Sequence, residues 1–84
     1  MWRRINEPID ASTQDRDGLP YPVLRTVVWK GRRFQLIGPG QIVADRESLY
    51  YDAQTRSLRL AVRFDRENDQ WFLEGIDDGA RMSN

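Results

Sequence analysis

Glu74, Asp77 and Asp78 place three carboxylates close together near the end of the chain, the residue types that a two-carboxylate hydrolase or a hard-cation site would use. Oxygen ligands hold magnesium or calcium only when several converge from rigid elements, and a hydrolytic pair needs a fixed separation across a cleft. Asp77-Asp78-Gly79 instead reads as a solvated turn where a last strand ends. The acids of Asp65-Arg66-Glu67-Asn68-Asp69 lack the Asp-x-Asp-x-Asp-Gly pattern and distal glutamate of a calcium loop. Gly38-Pro39-Gly40 lacks the further glycines and the following helix that cradle a phosphate, and reads as a structural corner. Ser12, Ser48, Ser57 and Ser83 have no histidine to activate them, because the 84-residue chain contains neither histidine nor cysteine. The same two absences remove imidazole acid–base chemistry, thiolate nucleophiles and the usual structural zinc ligands. A non-enzymatic protein is expected, with no catalytic residue, metal or cofactor.

Binding chemistry is better represented. Twelve of the thirteen basic residues are arginine and only Lys30 is lysine, a bias that reflects either coding composition or a use for bidentate contacts to carboxylate and phosphate. Thirteen acids balance them, so no net field draws the chain to nucleic acid or to a membrane surface. Aromatics and arginine carry most of the energy at protein interfaces. Protein–protein interaction in an accessory or adaptor role is therefore the expected function, with Trp2, Tyr21, Tyr50, Tyr51, Arg59 and Arg63 as contact residues. A nucleic-acid-binding barrel is the alternative, with Arg32, Arg33, Arg56, Arg59, Arg63 and Arg66 forming a basic face beside a stacking tyrosine. A small inhibitor or immunity protein that blocks a larger enzyme is a third reading. A homodimer through a strand edge also fits short-stranded sheets. Pro20-Tyr21-Pro22 reads as a lead-in to the first strand in preference to a polyproline ligand.

The elements that would position these residues are strands. Leu58, Leu60, Val62 and Phe64 recur at period two, and Asp65 to Gln70 supplies only turn-forming and charged residues before Trp71-Phe72-Leu73 resumes the apolar pattern. Val23 to Trp29 reads as a strand, Lys30-Gly31-Arg32 as a tight turn and Phe34 to Ile37 as the return, with Gly31 free to take positive φ. Gln41 to Ala44 reads as a short strand or a bent continuation. Ala44 to Gln54 also fits about three helical turns, but the preferred reading is a turn at Asp45 to Glu47 and a strand at Leu49 to Tyr51. The outcome is an all-β fold, a small antiparallel meander or partly open SH3-like barrel of five or six strands. Its expected core is Trp29, Phe34, Leu60, Val62, Phe64 and Trp71. Residues 1–18, acidic and polar with little to bury, are expected to be a flexible arm, 19–78 a single domain and 79–84 a disordered tail.

Trp29-Lys30-Gly31-Arg32-Arg33-Phe34, the strand from Leu58 to Phe64, and Asp65 through Trp71-Phe72-Leu73 together resemble the pattern of a family of small bacterial domains of uncharacterised function. Some of those domains are encoded near lesion-bypass DNA polymerases. The resemblance covers about half the chain and implies an accessory role connected with DNA repair, with no catalytic residues to carry over. The chain has no run of around twenty apolar residues to span a membrane. Met1-Trp2-Arg3-Arg4 is followed by Asn6, Glu7 and Pro8 instead of the apolar stretch of a signal peptide, so a cytoplasmic address is expected.

Overall fold

The computed structural model describes residues 2–37 and 40–77. They form seven strands: β1 (Trp2–Gln14), β2 (Val23–Trp29), β3 (Arg32–Gln35), β4 (Gln41–Ala44), β5 (Ser48–Gln54), β6 (Arg59–Asp65) and β7 (Gln70–Asp77). Every pairing is antiparallel. In space the order is β3-β2-β1-β7-β6-β5-β4, a curled half-barrel in which the first and last strands are neighbours. The all-β class follows from the sequence, including the strand at Ala44 to Gln54, where the structure has a turn and β5.

The alternation that begins at Leu58 places Leu60 and Val62 inside, opposite Ala53 and Tyr51 on β5 and Ile76 and Leu73 on β7. These residues are buried together with Leu24, Val27, Phe34, Leu36 and Leu49. Of the expected core, Phe34, Leu60 and Val62 are fully buried, whereas Trp29, Phe64 and Trp71 are half-buried at its margin. Trp71 packs against Phe64 and Tyr51, with ring centroids 4.7 and 5.4 Å apart. Tyr51 is only 3% exposed and donates its hydroxyl to the Pro22 carbonyl at 2.9 Å, which ties β5 to the entry of β2.

Turn chemistry sets the register. Lys30 and Gly31 form a two-residue hairpin loop with φ of 51° and 77°, the doubly left-handed arrangement that matches strand twist. The Asp45 carboxylate accepts the amides of Glu47 at 2.9 Å and Ser48 at 2.7 Å, and the Asp65 carboxylate accepts those of Glu67 and Asn68. Arg66 joins the two turns, donating its amide to Glu47 O and a guanidinium nitrogen to Asp45 O.

The flexible arm expected over residues 1–18 requires correction, because β1 lies in the middle of the sheet. Its first part, Trp2 to Ile9, pairs with β7, and its second part, Asp10 to Gln14, pairs with β2. Ile5, Glu7, Ile9 and Ala11 alternate as half-buried positions, and Glu7 holds its place among them by accepting the Trp29 indole N–H at 3.0 Å. Pro8 is accommodated because the β2 ladder begins only at Asp10, so no neighbour on that side needs a donor. The expected tail, 79–84, lies outside the described residues, as do Asp78, Ser83 and the Gly38-Pro39 part of the expected corner.

Candidate functional site

Cross-strand register assigns each outward side chain to a row. Val43, Tyr50, Arg63, Phe72 and Pro8 stand opposite one another on β4, β5, β6, β7 and β1, a line of roughly 19 Å at ordinary strand spacing. The next row is Gln41, Asp52, Ala61, Gly75 and Arg4, and beyond it come Gln54, Arg59, Asp77 and Trp2. The middle row is low at its centre because Ala61 and Gly75 have almost no side chain. Over Ala61 lies a trough of about 260 Å³, walled by Trp2 on one side and by Val43 and Tyr50 on the other, while Trp2 itself covers Gly75.

Outward-facing sheet surfaces are ordinarily polar. Here Trp2 is 50% exposed, Val43 55% and Tyr50 37%, three of the five large hydrophobic side chains left exposed among the described residues, and all three border one trough. Trp2 lies over Gly75, where a β-carbon would sit 3.1 Å from the ring and 3.0 Å from the Arg3 carbonyl, so a larger residue there would push the indole outward by a few tenths of an ångström. Two ion pairs flank the floor, Arg59 with Asp52 at 2.7 Å and Arg63 with Glu74 at 3.0 Å. The Arg63 guanidinium also lies 4.5 Å above the Phe72 ring, presenting a cation on an aromatic base. Glu74 reaches Arg63 because β7 carries an extra residue between Leu73 and Gly75, a bulge that turns this carboxylate outward.

Of the six contact residues read from the sequence, Trp2, Tyr50, Arg59 and Arg63 meet on this face. Tyr51 does not, because the adjacent position of a strand faces the opposite way and its ring is in the core. Tyr21 lies elsewhere, half-buried beneath Arg66 at 5.9 Å beside the two acidic turns. Val43 and Phe72 belong to the face and were missed. Pairing Gln41 to Ala44 with Leu49 to Tyr51 across the Asp45 turn would have put Val43 beside Tyr50.

The six arginines proposed for nucleic acid are distributed over separate places. Arg59 and Arg63 are on the outer face, each in an ion pair. Arg33 and Arg56 border a different cavity with Ile37 and Thr55, Arg32 covers the Phe34 ring at 5.0 Å, and Arg66 spans the turns. Among the described residues no three acids are grouped to hold a metal ion. No helix among them is long and apolar enough to cross a membrane. The Asp45 carboxyl is held below the usual carboxylate range by the Ser48 and Glu47 amides, and Asp65 by Asn68 and then the Glu67 amide, with slight burial opposing both. Burial raises the Tyr51 hydroxyl above the ordinary tyrosine value. Comparison with protein-family models, curated proteins and solved structures finds no match to this chain.

Proposed function

We propose that the protein is a non-enzymatic binding module that docks another protein on the outer face of its sheet. The observation that carries this reading is the gathering of Trp2, Val43 and Tyr50, all exposed, around a trough floored by Ala61. Interfaces take their energy from a few aromatic and arginine anchors inserted into well-packed pockets and bordered by polar groups. The face supplies aromatic anchors, a shallow receiving surface and a border of charges already compensated by Asp52 and Glu74. Because those arginines need no external counter-charge, a partner desolvates little unpaired charge on binding. An accessory role also accords with the family resemblance of the Trp29 and Leu58 to Ile76 segments, which would place the partner in DNA repair.

The test is affinity capture with the tagged chain, with and without nuclease, comparing wild type with Tyr50→Ala and Trp2→Ala variants whose circular dichroism matches it. A nuclease-resistant, stoichiometric protein whose affinity falls roughly 30-fold on removing an anchor is the expected result. A captured protein indifferent to both substitutions would move the interface elsewhere and overturn the reading. Recovery abolished by nuclease would transfer the function to nucleic acid.

A further inference from the structure

The sheet ends at β4, and the geometry points to this edge as the seat of a two-fold pairing with a second copy of the chain, centred on Val43. The Asp45 amide donates to Ser48 O, which sets the ladder between β4 and β5. Antiparallel ladders alternate, so Gln41 and Val43 direct their backbone groups to β5, while the N–H and C=O of Ile42 and Ala44 point away from the sheet. β4 is terminal in the strand order, and its residues Gln41, Val43 and Ala44 are exposed.

Edge strands are normally protected by charge, proline or a bulge. Gln41-Ile42-Val43-Ala44 contains no charge and no proline, and its register with β5 has no irregularity. The opposite edge, β3, carries Arg32 and Arg33. A second copy fits β4 for three reasons. A two-fold axis through Val43 brings Ile42 opposite Ala44 of the second copy and Ala44 opposite its Ile42, so the outward groups exchange four backbone hydrogen bonds. Val43 then meets its equivalent in a non-hydrogen-bonded pair, and Gln41 faces Asp45, so no like charges oppose one another. The formal net charge is zero, so no long-range repulsion separates two copies.

This pairing goes beyond the docking role and stands on β4 alone, yet it bears on the outer face. The row that runs from Pro8 through Phe72, Arg63 and Tyr50 to Val43 would continue through the second Val43 into the same row reversed. Two troughs would share one uninterrupted ridge, a surface suited to a partner that is itself two-fold symmetric.

Sedimentation of the purified chain over a concentration series tests the pairing independently of any docking partner. Wild type is expected to reach twice the 9.9 kDa chain mass. Ala44→Pro removes an outward N–H that the β4–β5 ladder does not use, and it is expected to weaken self-association roughly 10- to 100-fold with the strand signal retained. Val43→Lys, which sets two ammonium groups against each other on the axis, is the second variant should the proline disturb the fold. Val43→Cys introduces the chain's single cysteine at a spacing that a disulfide can bridge. It is expected to cross-link under mild oxidation much faster than a cysteine at Asn68 on the hairpin tip. A wild-type monomer throughout the series, a dimer that persists in folded Ala44→Pro or Val43→Lys, or equal cross-linking at the two sites would overturn the proposal.

Discussion

At the scale of single residues, the two acidic turns depend on the ionised form of one carboxylate each. Asp45 receives two backbone amides and Asp65 receives two more together with the Asn68 side-chain amide at 2.8 Å. Because folding lowers both pKa values, the contribution is fully present above the unfolded aspartate value of about 3.9 and is lost as pH falls through the folded values. Urea unfolding followed from neutral to acid pH is therefore expected to show stability falling on the acid side of that value. Asp45→Asn keeps an acceptor oxygen for the turn and should flatten the fall, whereas Asp45→Ala should lower the midpoint at every pH. An unchanged acid limb in Asp45→Asn would show that the carboxylate charge contributes nothing. Residue identity alone also explains why part of the candidate site was legible. Tyr50 and Tyr51 are equivalent by type, and only the period-two set Leu49, Tyr51 and Ala53 distinguishes the buried ring from the exposed one.

At the scale of elements, β1 departs furthest from what its composition implies. Its stretch beyond Ile5 has few apolar residues, and the alternation that makes it a strand passes through Glu7, whose burial makes sense only once Trp29 is brought beside it by a separate strand. Local pattern cannot report such a partner, so β1 was hidden, while β2, β6 and β7, whose apolar alternation or β-branched content is self-contained, were legible. The trough was half legible for the same reason. Arg59 and Arg63 follow from the alternation of β6, but the seating of Trp2 over Gly75 requires the β1–β7 register. If β1 is integral to the fold, Ile9→Ala should destabilise by about 1–2 kcal/mol in chemical denaturation, scaled for a half-buried side chain. A flexible arm would leave the midpoint unmoved.

At the scale of the whole molecule, the pairing of β1 with β7 joins the two ends of the described chain, Trp2 standing opposite Asp77. The hairpins β2–β3, β4–β5, β5–β6 and β6–β7 each close over a short loop, whereas β1–β7 must wait until nearly the whole chain has been organised. Loop closure of that length has an entropic cost that no local contact offsets, and all-β folds built this way fold in milliseconds to seconds. The consecutive strands β5, β6 and β7 place Leu60 and Val62 at the centre of the core, so a nucleus formed there needs only neighbouring strands. Stopped-flow folding should thus separate two substitutions. Leu60→Ala should slow refolding with a large share of its equilibrium effect in the folding limb. Ile9→Ala, on the strand that docks last, should act mostly by speeding unfolding. The reverse partition would place β1–β7 closure before the meander, and with it the assembly of the Trp2 wall of the trough ahead of the face that it borders.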